Sequence, residues 1–307
     1  MGSGVQVSPL VAAALGEGRA VVALESTVFS SLGLPGPAGA EAQKRVYEAV
    51  LTGGALPALT VVLDGEARVG VDDEELPRVF AADRKVAERD VAVAVAQRWP
   101  AAATTVSASL SLAAAAEIGV FATGGIGGVH RDWPQTGDES ADLGALAHHP
   151  VVTVCAGAKS FLDLPRTLER LETLGVPVIG LETDGGRFPA FWSRRSRWPV
   201  PHEVATPGEV AELVWTSRTL GYGGGVLVVT PVPEADEVPF EELTPIIDAA
   251  LRAAAEAEIT GGAVTPFVIE QIAAATDGRT VAANLALVEH NAAVAAAIAV
   301  ALADEIA

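Results

Sequence analysis

Short runs of uninterrupted apolar residues, rich in valine, set the strongest limit on how this chain folds. They are "AVVALE" (20–25), "LTVVLDG" (59–65), "GVFATGG" (119–125), "VVTVCAG" (151–157), "VPVIGL" (176–181) and "GVLVVTPVP" (225–233). A strand with one face in water alternates apolar and polar residues. A run that is apolar at nearly every position is covered on both faces, as in a parallel sheet sandwiched by helices. Helical stretches fill the gaps. "DLPRTLERLETLG" sets Leu164, Leu168, Leu171 and Leu174 on one stripe, with Asp163 to cap it and Gly175 to stop it. "TPGEVAELVWTSRTLG" opens on Thr206-Pro207 and ends at Gly221. From 237 onward the pattern is helical, over 237–259, 265–276 and 280–306. The expected class is α/β, with a mainly parallel sheet and a helical C-terminal portion packed back on it. The least regular stretch, 184–203, mixes aromatics, prolines and four arginines and reads as a lid or a subunit contact.

Half of the 307 residues are apolar, ample for a large core. Acidic residues outnumber basic ones by 39 to 20, a net charge of -19. That field repels phosphate backbones and anionic lipid, so nucleic-acid and membrane partners are not expected. An anionic substrate would need a local cluster of donors. The lone cysteine, Cys155, cannot close an internal disulfide and reads as a small core residue. The longest apolar run, "AAVAAAIAVALA", falls short of the roughly 18–20 residues a bilayer span needs. With no secretory leader, the expectation is a soluble, cytoplasmic protein.

The segment richest in chemistry is "FATGGIGGVHRDWPQTGDESADL" (121–143). Its glycines let backbone N–H groups approach a ligand such as a phosphate, although a plain tight turn uses the same residues. Thr123, His130 and Arg131 add donors. Asp138 and Glu139 either cap the helix of "ESADLGALAHH" or present a carboxylate to a hard cation such as Mg²⁺ or Mn²⁺. Glu25, closing a strand beside Ser26 and Thr27, is a candidate proton donor or acceptor. Lys85, in "DRKVAERD", reads most simply as a surface helix lysine. "TTVSASLS" (104–111) stacks hydroxyls at a helix start, where free N–H groups attract anions.

Lys159 follows "CAGA" at the end of a buried strand. Two readings stand side by side. Surrounded by apolar residues, its amine would have a lowered pKa and act as a nucleophile toward a carbonyl. Alternatively it snorkels outward to pair with a carboxylate.

The residues named so far lie in motifs that resemble the pseudouridine-5'-phosphate glycosidase family, also called indigoidine synthase A-like. The matching stretches include "ALEST", "KVAERD", "ATTVSAS", "VFATGGIGGVHR", "SADL", "CAGAKS", "FPAF", "GGGVLVVTPVP", "VTPF" and "AANLALVEHNA", in order along nearly the whole chain. The resemblance implies a single domain over 1–307, a three-layer α/β/α architecture, and a homo-oligomer, trimeric by preference. It also implies a divalent metal, Mn²⁺ ahead of Mg²⁺, held by Asp138. Lys159 would be the Schiff-base lysine and Glu25 the proton donor. Lys85, the amide of Val106 and the stretch Ser140, Ala141 and Asp142 would contact the sugar phosphate. Thr123, His130 and Asn284 would line the site. A lysine suits the chemistry: a C-glycoside has no heteroatom leaving group, so an iminium at C1 of the opened sugar supplies the electron sink that a carboxylate pair does not.

The sequence also departs from the family pattern. "VFSSLGLPGPAGA" replaces a His-Gly-Met-Pro-Tyr-Pro-type stretch, Gly137 stands where an aromatic precedes the aspartate, Thr230-Pro231 replaces Asn-Pro, and "LETDGGRF" is enlarged. If these positions face the base, Gly137 and Gly36 open space for something other than uracil. On that basis the first expectation is a C-glycosynthase joining ribose 5-phosphate to an aromatic, polyketide-type acceptor, as in alnumycin biosynthesis. The alternative is cleavage of pseudouridine 5'-phosphate to uracil and ribose 5-phosphate. A non-catalytic sugar-phosphate binding protein is a third reading, disfavoured because simple binding needs neither Glu25 nor Lys159.

Overall fold

The structure is a computed structural model that describes residues 4–34, 37–259 and 261–306. Eleven strands form among them: β1 (Val5–Val7), β2 (Val21–Leu24), β3 (Leu56–Leu63), β4 (Glu66–Val69), β5 (Lys85–Val86), β6 (Ala101–Thr104), β7 (Val120–Ala122), β8 (Val152–Cys155), β9 (Val178–Leu181), β10 (His202–Val204) and β11 (Val226–Val229). The helices among the described residues are α1 (Pro9–Gly16), α2 (Ala38–Thr52), α3 (Leu76–Phe80), α4 (Glu88–Ala96), α5 (Val106–Ala115), α6 (Trp133–Thr136), α7 (Ala141–His148), α8 (Leu164–Thr173), α9 (Pro207–Thr219), α10 (Phe240–Glu256), α11 (Val264–Ala275) and α12 (Arg279–Ile306).

The apolar runs become the parallel strands expected of them. The order β3-β2-β7-β8-β11-β9-β10 is parallel throughout. Strands β2, β7, β8, β9 and β11 are buried at every position, because helices cover both faces. Helices α2, α9 and α12 pack together, and α4, α5 and α7 form a second group. The caps also form as read: Asp163 accepts from the Arg166 amide and Thr206 from the Glu209 amide.

Two expectations need correction. The apolar C-terminal run belongs to α12, a helix of 28 residues that is long and apolar enough to span a bilayer by length and composition. Here it packs against α2, α9 and the sheet, and more than half of its most apolar window is buried. The irregular stretch 184–203, read as a lid or a subunit contact, lies only partly at the surface. Phe188, Phe191, Trp192 and Ser193 are buried within it, and its aromatics pack into the core.

The sheet forks at β3. Its first half, Leu56–Leu59, pairs with β2, while its second half turns to antiparallel partners, β4 on one side and β6 on the other. The fork exposes backbone polar groups that no ladder can satisfy, and buried hydroxyls fill the role. Thr104 Oγ1 donates to the Thr60 carbonyl at 2.8 Å, Thr60 Oγ1 lies 2.9 Å from the Leu24 carbonyl, and Ser26 Oγ accepts from the Thr104 amide at 2.8 Å. Ser26, Thr60, Thr104 and Ser109 are fully buried. The cluster ties the end of β2, just before Glu25 and Ser26, to the end of β6, just before α5. Replacing Thr104 by valine removes the donor to the Thr60 carbonyl and the hydroxyl partner of Ser26 Oγ (3.0 Å) and Thr60 Oγ1 (2.9 Å). Urea denaturation should read a loss of about 1–3 kcal/mol for Thr104→Val; an unchanged midpoint would show that the hydroxyls do not hold the fork.

Candidate active site

Glu25, Thr123 and Lys159 lie just past the carboxyl ends of β2, β7 and β8, where parallel α/β sheets leave a crevice. Three backbone segments lie side by side there. The glycine-rich loop after β7 and the lysine loop after β8 continue in parallel beyond their strands: Ala156 N–H donates to the Gly124 carbonyl (2.9 Å), Ile126 N–H to Gly157 (3.1 Å) and Lys159 N–H to Ile126 (3.2 Å). The segment around Phe191 closes on the lysine loop through Phe191 N–H to the Ala156 carbonyl (2.9 Å). Gly157 makes this approach possible. Its φ is +81°, and a β-carbon there would lie 2.1 Å from the Pro189 carbonyl oxygen. The lysine therefore sits where it does because the loop that carries it is clamped between two other main chains.

A cavity of about 70 Å³ opens at this point, lined by Glu25, Lys85, Lys159 and Asn284 on its polar side. Val28, Leu32, Leu34, Phe191, Ile269 and Val288 are among its apolar walls. Lys159 is half-buried rather than turned fully outward. Lys85 is not a surface helix residue: it lies on β5, beside β6, and is half-buried. Burial, and then the neighbouring Lys159 ammonium, pulls its pKa below the usual lysine range, with Glu25 opposing. Two cations thus share the cavity within a strongly acidic protein.

Glu25 is buried and accepts a hydrogen bond from the Thr123 hydroxyl. Burial pushes its carboxyl up to about 7, while Lys159 and the Thr123 hydrogen bond pull it down and Asp142 adds to the rise. Near neutrality this group can hold or release a proton, as a general acid or base must. Asn291 fixes the same strand end, its amide donating to the carbonyls of Thr123 (2.8 Å) and Gly124 (3.2 Å).

Val106 is the first residue of α5, so its amide has no carbonyl to bond within the helix. Asp142 is buried, and each of its carboxylate oxygens accepts from a backbone amide: Oδ1 from Ser107 at 3.0 Å and Oδ2 from Gly127 at 2.9 Å. It braces the glycine-rich loop against the start of α5. A β-carbon on Gly127 would lie 2.3 Å from Ser140 Oγ and 2.9 Å from Asp142 Oδ2, so that glycine is required for the brace. Ser140 caps α7 by accepting from the Asp142 amide, and Ala141 begins that helix. The capping role weighed for Asp138 and Glu139 falls to Ser140, while Glu139 pairs with Arg170 at 3.0 Å.

His130, before α6, and Asp138, after it, lie with Nδ1 and Oδ2 3.9 Å apart, and neither lines the cavity. No group of three or more His, Cys, Asp or Glu side chains gathers among the described residues. The donor set therefore fits only a hard cation held by a single carboxylate and otherwise by water and substrate, not a closed protein cage.

The departures from the family pattern divide. Val28, Leu32, Gly33 and Leu34 do face the cavity. Gly137 does not: it ends α6 in the left-handed conformation (φ +68°), with nothing within 4 Å of a β-carbon placed there. Its identity serves the turn and opens no space for an acceptor. Thr230 is buried against His290, at 3.0 Å, outside the cavity lining. Gly36 lies outside the described residues. Phe191, Thr265 and Ile269 were not singled out by the sequence reading, although "FPAF" and "VTPF" contain the first two.

Comparison with known proteins agrees with this geometry. The family model described as "Indigoidine synthase A like protein" matches residues 10–301, and the chain belongs to that family. It is 49% identical over 297 residues to a protein of Methylobacterium nodulans named pseudouridine-5'-phosphate glycosidase, covering 96% of this chain and 87% of that one. A protein of the same name from Streptomyces griseus is 48% identical over 301 residues, covering 97% and 92%. Among solved structures, the prealnumycin C-glycosynthase AlnA in complex with ribulose 5-phosphate superposes with a TM-score of 0.90 at 34% identity, covering 98% of both chains. An indigoidine synthase A-like protein from Thermotoga maritima gives 0.86 at 36% identity, covering 98% and 97%. The chain is accordingly an enzyme of the indigoidine synthase A-like family, with a mostly parallel sheet flanked by helices.

The elevated Glu25 carboxyl has a consequence for stability. A group raised from 4.5 to about 7 binds its proton more tightly in the folded state. Its contribution is fully present below the unfolded value and is lost as pH rises through the folded one. Between pH 4.5 and 7 the stability of wild type relative to Glu25→Gln should fall by as much as about 3 kcal/mol. Denaturation curves at several pH values test this, and a difference independent of pH contradicts burial as the cause.

Proposed function

We propose that the protein cleaves pseudouridine 5'-phosphate to uracil and ribose 5-phosphate through a lysine iminium. The observation that carries this reading is the placement of Glu25, Lys85 and Lys159 on one small cavity, with the Glu25 carboxyl tuned near neutrality. The relatives at 48–49% identity carry the glycosidase name, whereas the synthase is a structural neighbour at 34%. Gly137 also stands outside the cavity lining, so its small size does not enlarge the cavity for a bigger acceptor. The order of the two expectations is thereby reversed, and bond formation with an aromatic acceptor becomes the second reading, kept for the altered wall at Val28, Leu32 and Leu34.

In the proposed reaction Glu25, as the carboxylic acid, gives its proton to the ring oxygen while the C1–O bond breaks, electrons flowing from the base. The amine of Lys159 adds to C1, returning the electrons drawn from the base, and the proton that the nitrogen then sheds passes to the Glu25 carboxylate. The bond from C1 to the base carbon then breaks, its electron pair leaves with the base, and that carbon takes the proton from Glu25. The freed nitrogen lone pair completes a C1=N bond. Water adds to this iminium, frees ribose 5-phosphate, restores the amine and returns a proton to Glu25, so the sum is nucleotide plus water to base plus sugar phosphate. Thr123 orients the Glu25 carboxyl, and Asn284 lines the cavity. Lys85 and the Val106 amide offer positive charge to the phosphoryl end, in a loop frame set by Ser140, Ala141 and Asp142. Asp138, beside His130, would hold a divalent ion such as Mn²⁺ or Mg²⁺, which when bound supplies charge against the phosphate.

Incubation with pseudouridine 5'-phosphate should release uracil, and borohydride with ribose 5-phosphate should leave a mass adduct on Lys159. Lys159→Ala should lose the adduct and at least about a thousandfold in turnover, whereas Lys85→Ala should chiefly raise KM. Wild-type turnover in Lys159→Ala would overturn the mechanism. Absence of uracil release, with the adduct still formed, would favour the synthase reading.

A further inference from the structure

Phe191 occupies a backbone conformation that its side chain disfavours. Its φ is +59°, the left-handed region, where a bulky aromatic residue is a marked exception. The surroundings hold it there. The flanking Ala190 and Ser193 bond to each other in both directions, at 3.0 and 3.2 Å, and the Phe191 amide is spent on Ala156. Ser160 Oγ donates to the Ala190 carbonyl. The loop could have carried glycine at this turn without strain, yet it carries a ring.

That ring has a defined place. It packs against the glycine-rich loop: a β-carbon on Gly125 would lie 2.6 Å from Cδ2, and one on Gly124 3.4 Å from Cε2. Trp192 backs it, with ring centroids 4.9 Å apart and planes tilted by 57°. It also belongs to the wall of the cavity that Glu25 and Lys159 share. The apolar neighbours there, Val28, Leu32, Leu34, Ile269 and Val288, are aliphatic, so Phe191 is the aromatic ring among the described lining residues.

We propose that Phe191 is the residue that binds the base half of the substrate, stacking a planar base so that its carbon–carbon bond to C1 is held beside Lys159. The inference rests on the reading of the site as a C-glycosidic one. A planar ring needs a flat apolar face, and base–aromatic stacking tolerates any base because every base has a π-face. Gly125, against which the ring packs, matters for the same reason, since a β-carbon there would displace the ring.

The test uses Phe191→Leu, which keeps apolar bulk but removes the flat face, and Phe191→Tyr, which keeps the ring. Phe191→Leu should raise KM for pseudouridine 5'-phosphate about tenfold and weaken inhibition by uracil by a similar factor, the size of one base–aromatic stack. Borohydride trapping of ribose 5-phosphate on Lys159 should stay within about twofold of wild type in both variants, and Phe191→Tyr should restore KM. If trapping and KM worsen together in Phe191→Leu, the ring merely fills space and the proposal is overturned. If neither changes, it is overturned as well, while the proposed function stands. If wild type is trapped by the sugar but releases no uracil, the glycosidase reading fails on its own terms. Phe191→Leu must then weaken use of an aromatic acceptor, and unimpaired use overturns the inference.

Discussion

The close approach of three main chains past β7 and β8 is the constraint on which the rest of the site depends. Side chains keep backbones apart, and here they are missing where contact occurs. Gly157 meets the Pro189 carbonyl and Gly127 meets the Ser140 and Asp142 side chains at distances no β-carbon allows. With those positions empty, the glycine-rich loop, the lysine loop and the Phe191 segment exchange backbone hydrogen bonds and fix one another. Lys159 and Phe191 are then presented to one cavity, and Thr123 to the Glu25 carboxyl beside it, by main chain that has little freedom to move. Preorganisation of this kind is what positions catalytic groups without further ordering on binding.

Electrostatics build on that frame. The chain carries a charge of -19, yet its cavity gathers Lys85 and Lys159 beside a carboxyl that burial pushes towards neutrality. Asp142 gives both oxygens to amides of the loop frame, so its charge is committed internally and also adds to the rise at Glu25. A phosphorylated sugar would meet local positive charge against a repulsive global field. That contrast favours a docked pose over loose association with the surface.

The fold was legible where the pattern is self-contained. A run such as "VVTVCAG" suits a strand covered on both faces, and Asp163 and Thr206 stand where a cap for the following helix is needed. The short or polar strands were not read. β4 and β6 exist because β3 is long enough to pair twice, a tertiary fact, and β5 has two residues whose partner lies on β6. Lys85 was misplaced for that reason. Among the site residues, Glu25 and Lys159 announced themselves by lying at strand ends. Phe191 did not, because nothing in "FPAF" reveals a positive φ or the close contact of its ring with Gly125. Gly137 misled in the opposite sense: its glycine answers to a left-handed turn and not to a ligand.

The central claim is that an amine on the lysine loop condenses with the anomeric carbon of a phosphorylated sugar. A crystal structure of the protein soaked with ribose 5-phosphate tests it most directly. The account predicts continuous density from Lys159 Nζ to C1 of an opened sugar, the Glu25 carboxyl at its side, and the phosphoryl group against Lys85 and the first turn of α5. A sugar bound with C1 remote from Lys159, or a closed ring making no bond to it, would contradict the account.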